Sequence, residues 1–242
     1  MSDIGAALAE REQHETAPTV YDAIGRNEQR LAKLLPPGQL TWEQARAALG
    51  QALRDNPALI ECDPSSTVAA WAYTLQLGLP LGPLGLAYLV PFKGKTAPVI
   101  GYLGKIELAY RSGLVQSVGA TLVYDGDTFR ALGGDKPRIE HELQPRGDRE
   151  IIAAYGVAYL KGSRVPVSKV IWPEDWEKSR QASPLGRQNR GLWAEDFPAA
   201  VLKTAFHRLA KQLPKTPAMM LAETVDELPA DPFTELEGAT DA

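Results

Sequence analysis

Residues 78–113 read GLPLGPLGLAYLVPFKGKTAPVIGYLGKIELAYRSG. Two short apolar runs, Leu86 to Phe92 and Pro98 to Tyr102, flank the basic turn Lys93-Gly94-Lys95, and hairpin pairing satisfies both runs at the lowest cost in chain entropy. After Gly104 the pattern changes to helical spacing. Ile106, Leu108, Ala109 and Tyr110 form the apolar stripe, Lys105, Glu107 and Arg111 lie between them, and Gly113 is placed to cap the helix end. The stretch predicts a β-hairpin with lysines at its tip, followed by a helix. Four cations (Lys93, Lys95, Lys105 and Arg111) surround this unit.

GLPLGPLGLAYLVPF is followed along the chain by GYLGKIELAYRSG, then by VYDGDTF, then by GRQNRGLWAEDFPAAVLKTAFHRLAKQLP over residues 186–214. These four motifs, in this order and at these intervals, resemble the RecT family of phage-type single-strand annealing proteins. The similarity spans roughly Leu31 to Pro217. Leu103 stands where the family pattern usually carries a lysine, and Lys105 is the cation nearest to it in sequence. The resemblance implies a recombinase that coats one DNA strand, holds it extended and promotes pairing with a complementary strand. It also implies a ring or helical filament of identical subunits, working beside a phage exonuclease and the host single-strand-binding protein.

The charge distribution agrees with a nucleic-acid partner once it is divided along the chain. The 242 residues carry a net charge of −4, but residues 1–30 hold six acids and three bases, and residues 218–242 hold seven acids and no base. A core of net charge +6 is left between Leu31 and Pro217. The distribution, not the total, is what a phosphate backbone responds to. From Lys178 to Lys215 eight bases face only Glu195 and Asp196, the densest basic patch in the chain.

The organisation expected is an arm over residues 1–19, a core over 20–217 and an acidic flexible tail over 218–242. The arm lacks sustained periodicity, and the tail combines acids with a proline-interrupted stretch. At 44% hydrophobic content the core is well supplied with apolar residues. No apolar run approaches a membrane span and no secretory pattern opens the chain, which points to the cytoplasm and to no membrane partner. The single Cys62 precludes an internal disulfide, and His14, His141 and His207 are scattered, unlike zinc ligands.

Two helices are expected before the hairpin, one through Val20, Ile24, Leu31 and Leu34, and one opened by a Thr41/Gln44 capping box and ended at Asn56-Pro57. A third runs from Ser65 or Ser66 through Trp71 to Gly78. Beyond the central unit, Leu114 to Tyr124 reads as a strand ending in the turn Asp125-Gly126-Asp127. The two aspartates offer oxygen ligands to a hard cation, and they are equally ordinary turn formers. His141 to Arg149 reads as turn-rich. Ile151 to Leu160 and Val165 to Trp172 form a second hairpin, Pro173 opens a short helix containing Trp176, Ser179 to Gly191 reads as a loop, and a last helix presents Phe197, Val201, Leu202, Ala205, Leu209 and Leu213 on one face. The fold class is thus α+β: antiparallel hairpins in a meander packed with helices, with a helical N-terminal region.

Nucleotide-driven or hydrolytic chemistry lacks its usual signatures. There is no GxxxxGK[ST] loop, no GxGxxG after a strand and no GxSxG, and the histidines have no obvious triad partners. The expectation is a protein that is not an enzyme and needs no cofactor, so that strand pairing is independent of ATP. Binding to single strands calls for cations along the phosphates and planar side chains on which bases rest. The candidates are Phe92, Lys93, Lys95, Tyr102, Lys105, Arg111, Arg187, Arg190, Trp193, Lys203, Arg208 and Lys211, with single-stranded DNA and the annealed duplex as partners. Each aromatic in this set serves equally well as a core residue. Two other classes fit the same residues: a plain single-strand-binding module, and an adaptor whose basic patch meets an acidic partner.

Overall fold

The computed structural model describes residues 19–145 and 147–227. The arm over 1–18 and the end of the tail over 228–242 lie outside the described residues. The protein is a mixed α+β chain whose strand pairs are antiparallel. It is built from two compact units: the described parts of Met1–Gly101 and Leu221–Ala242 form one, and Tyr102–Met220 form the other. Among the described residues no helix is long and apolar enough to cross a membrane.

In the first unit, α1 (Val20–Ala32) and α2 (Trp42–Asp55) are both fixed at their starts by reciprocal caps. The Thr41 hydroxyl accepts from the Gln44 N–H at 3.2 Å while the Gln44 carbonyl accepts from the Thr41 N–H at 2.9 Å, satisfying two donors that a helix start leaves orphaned. Trp42 donates its indole N–H to Glu28 at 2.8 Å and packs its ring 5.3 Å from Trp71. A 3₁₀ turn (Pro57–Leu59) leads to α3 (Pro64–Gln76), in which Trp71 is 1% exposed. The cap of α3 is Asp63 rather than Ser65 or Ser66. Its carboxylate accepts from the N–H groups of both serines, and Pro64 takes the first helical position, where a missing N–H costs nothing.

The hairpin β1 (Ala87–Phe92) and β2 (Lys95–Ile100) closes through a two-residue turn, with Phe92 opposite Lys95. Lys93 and Gly94 both have positive φ, +47° and +78°. That is the turn geometry whose twist matches two antiparallel strands. The start of α3 clamps this hairpin from inside. The Asp63 N–H donates to the Gly94 carbonyl at 2.8 Å, the Thr96 N–H donates to Ser66 Oγ at 2.9 Å, and the buried Thr67 and Thr96 hydroxyls are 2.7 Å apart. At the other end, Gly101 lies so close to the chain that an added Cβ would collide with the Gly85 carbonyl oxygen. No other residue fits there without moving the backbone.

The second unit opens with α4 (Tyr102–Arg111), which already includes Tyr102 to Gly104 where the helix was expected only after Gly104 and Tyr102 was expected to end the second strand, and Gly113 turns the chain at φ +70°. A three-stranded sheet follows, in the order β3 (Val115–Tyr124), β6 (Ile151–Leu160), β7 (Val167–Ile171). The hairpin β4 (Thr128–Leu132) and β5 (Arg138–Glu142) is inserted between β3 and β6. Part of the segment read as turn-rich is therefore strand. Its His141 is held in place by Asp127, which an isolated reading of residues 141–149 misses.

After β7 come α5 (Pro173–Ala182), α6 (Pro184–Arg187), α7 (Leu192–Glu195) and α8 (Phe197–Ala210). The loop expected over 179–191 is in part helical, because Ser183 Oγ accepts from the Gly186 N–H and starts a fresh turn after α5 ends. Helix α8 lies on the small residues of β6. A Cβ on Gly156 would be 2.8 Å from Leu209 Cβ, so glycine is what permits this approach. Leu122, Ala154, Ile171, Trp176, Val201 and Ala205 form the core between helix and sheet. Helix α9 (Pro217–Glu227) occupies the first part of the segment read as a flexible tail, with Met219 and Ala222 buried.

Candidate nucleic-acid interface

Within the first unit, the hairpin tip presents Phe92, Lys93 and Lys95. Phe92 and Lys95 are half-buried cross-strand partners, and Lys93 is exposed, its ammonium 5.3 Å from the centre of the Phe92 ring. A cation resting on an aromatic face gives the tip one charged and one planar element in a fixed relation. The two-residue turn and the clamp from α3 hold them there.

Within the second unit, Tyr102, Lys105, Lys203 and Lys211 gather around Phe206 and His207. Tyr102 is 37% exposed and meets the buried Phe206 edge-on, with centroids 6.4 Å apart. The Lys105 ammonium is 3.2 Å from His207 Nδ1. The pKa of His207 is pushed down to about 3, by burial first and then by the charges of Lys105, Lys203 and Lys211. The ring is therefore neutral near pH 7, and Nδ1 is an acceptor for the lysine ammonium. Sequence spacing gave His207 no role. Its neighbours on α8, Lys203 and Lys211, came from the basic patch, but the link to Lys105, 102 positions away in the chain, is tertiary. Lys105, Lys203 and Lys211 thus place three positive charges around a neutral ring.

The remaining candidates divide by what already engages them. Arg111 is paired with Glu107 at 2.8 Å along α4. Arg187 donates to the carbonyls of Gln181 and Ala182 at the end of α5, a capping role, although its residue is exposed. Arg190 is exposed, and Arg208 is half-buried on α8. Trp193 is half-buried, 6.2 Å from Phe197 and packed against the core of the second unit.

The two aspartates of the 125–127 turn have separate fates. Asp125 is exposed. The buried Asp127 carboxylate accepts from the backbone N–H of Gln144 at 3.0 Å and of Tyr124 at 2.9 Å, and pairs with His141 at 3.1 Å and Arg149 at 2.9 Å. The two backbone bonds foremost, then His141 and Arg149, hold its carboxyl well below the usual range. Its oxygens are committed to tying the β4–β5 hairpin to the sheet. Among the described residues no group of three or more His, Cys, Asp or Glu is arranged to hold a metal ion.

The chain is 34% identical over 208 residues to Protein RecT of Escherichia coli strain K12, covering 82% of this chain and 76% of that one. It is 28% identical over 149 residues to the uncharacterized protein YqaK of Bacillus subtilis strain 168, covering 60% of this chain and half of that one. A family model described as the RecT family matches residues 43–236, which takes in the hairpin, the second unit and α9 but not α1. With the family matched over most of its length, the chain belongs to the RecT family.

Proposed function

We propose that this protein binds single-stranded DNA through its phosphates and anneals complementary strands in homologous recombination, without ATP. Family membership supports DNA annealing in recombination. The observation that carries the finer reading is the convergence of Lys105, Lys203 and Lys211 on a neutral His207, with Tyr102 exposed beside the buried Phe206. Such a surface holds phosphates by charge and offers a base one planar face, and neither contact reads sequence. Pairing is then delegated to the strands themselves. The hairpin tip, with Phe92, Lys93 and Lys95, and the segment carrying Arg187, Arg190 and Trp193, with Arg111 and Arg208 on the flanking helices, supply further contacts in this reading. A chain of many such subunits, as a ring or helical filament, keeps one strand extended for its complement. A phage exonuclease that produces the strand and a host protein that coats it are the partners this activity calls for.

The test is to mix complementary oligonucleotides with the protein in the absence of any nucleotide cofactor and follow duplex formation. Faster pairing than in protein-free solution supports the proposal. Slower pairing identifies a plain single-strand-binding module, and no binding at low salt identifies an adaptor for an acidic partner.

A further inference from the structure

The sheet of the second unit has a second cationic surface, on the face turned away from α8. Along β6, Ala154, Gly156 and Ala158 alternate with Tyr155, Val157 and Tyr159. The first set faces α8, where Gly156 meets Leu209. The second set floors a groove of about 440 Å³ whose rim carries Lys136, Arg138 and Arg164. No carboxylate lines it. Lys136 and Arg138 come from the β4–β5 hairpin and Arg164 from the turn between β6 and β7, so the cations approach the floor from separate elements. All three residues are exposed. Arg138 is paired with Glu140 at 2.8 Å through Nε.

The floor is rigid. Tyr155 stacks on Phe129 with centroids 5.7 Å and planes 18° apart, and its hydroxyl is 3.3 Å from His141 Nδ1. Tyr159 is 44% exposed at the groove. An ordinary solvated sheet face alternates charges of both signs. The lining of this one sets planar rings beside Lys136, Arg138 and Arg164, with Glu140 pairing Arg138 from outside the lining, a combination that suits a ligand carrying both phosphates and flat bases.

We propose that this groove is a second anchor for single-stranded DNA, distinct from the Lys105, Lys203 and Lys211 cluster. The inference rests on the DNA-binding reading above. Because the α8 lysines and the groove lie on opposite sides of the sheet, a strand must round an edge of it to engage both. A short strand fills the primary cluster alone, and a long one reaches the groove as well.

The experiment measures affinity of the full chain for oligothymidylates of roughly 8 and roughly 40 nucleotides, spanning the site size of one binding surface and several times that. It compares the unmodified protein with Arg138→Ala/Arg164→Ala, Tyr159→Ala and Tyr159→Phe. The expected result is a loss of about fivefold or more for the long oligomer in the double variant and in Tyr159→Ala, with short-oligomer affinity unchanged and Tyr159→Phe equal to the unmodified protein. Unchanged affinity for both oligomers in every variant overturns the groove as a DNA site while leaving the primary reading intact. Equal losses for both oligomers merge the groove with the primary site and overturn its separateness. If the unmodified protein binds neither oligomer, the DNA-binding reading falls, and this inference with it.

Discussion

The Lys105 ammonium lies 3.2 Å from Nδ1 of His207, joining the start of α4 to the last turn of α8. A histidine in this position serves as a neutral acceptor that holds a lysine in place. Burial and the three surrounding lysines keep it neutral. The same arrangement that orients the cation also leaves a pH signature on the fold.

His207 titrates near 3 in the folded chain and has an ordinary value of 6.5. Between those values the unfolded chain takes up a proton that the native state refuses, so stability is full above about pH 6.5 and falls as the pH drops through the window. The expected loss between pH 7 and pH 5 is about 2 kcal/mol, read from urea unfolding. His207→Gln should remove most of that slope. An equal slope in the variant would show that the ring is not held neutral.

Asp127 is the staple of the β4–β5 hairpin, through His141, Arg149 and two backbone N–H groups. Asp127→Ala is expected to lower Tm and to expose the Phe129 and Tyr155 stack, seen as a change in near-ultraviolet circular dichroism. Its carboxyl is held low, so its contribution is present above the ordinary aspartate value of 3.8 and is lost only as the pH falls further through the folded value. A variant with unchanged Tm and unchanged aromatic signal would remove the staple from the account.

Lys93 occupies a left-handed backbone conformation at φ +47°, which asparagine adopts more readily. Lys93→Asn is therefore expected to stabilise the hairpin by part of the roughly 1–3 kcal/mol that such a conformation costs and, at the same time, to weaken DNA binding through loss of the cation. Stability and affinity moving in opposite directions is the result to look for in thermal unfolding and oligonucleotide titration. Retained affinity would place the hairpin tip away from the strand.

Trp193 is in contact with the core and half-open to solvent. If a base rests on its open side, Trp193→Ala costs about 1–3 kcal/mol of binding, Trp193→Phe recovers most of it, and unfolding stays cooperative. Loss of cooperative unfolding without a selective binding defect would make the indole a core residue only.

The fold was legible where local chemistry dictates it. The Thr41/Gln44 box and the Gly113 stop each act within a few residues, and each is where the pattern put it, whereas the turn read as Lys93-Gly94-Lys95 is Lys93-Gly94 alone, with Lys95 already in β2. The α3 cap was displaced to Asp63 because Pro64 gives it the stronger start. The β4–β5 hairpin escaped notice because its strands are polar on their exposed side and are fixed by Asp127, Phe129 and Tyr155 acting across the chain. The site was legible in part. Charge clustering pointed to Lys203 and Lys211, and family motifs to Lys105, but that the three share one histidine is a tertiary fact. The groove between Arg138 and Arg164 left no local signal, since its cations belong to two different hairpins and its tyrosines read as strand packing.

The central claim is that DNA phosphates sit at the Lys105, Lys203 and Lys211 cluster, and the salt dependence of oligothymidylate binding tests it most directly. Each phosphate neutralised on a single strand contributes about 0.7 to the slope of log K against log salt, so replacing all three lysines by alanine should reduce the magnitude of the slope by about 2. Lower affinity with that reduction is the predicted result. A triple variant that keeps the slope of the unmodified protein would contradict the claim.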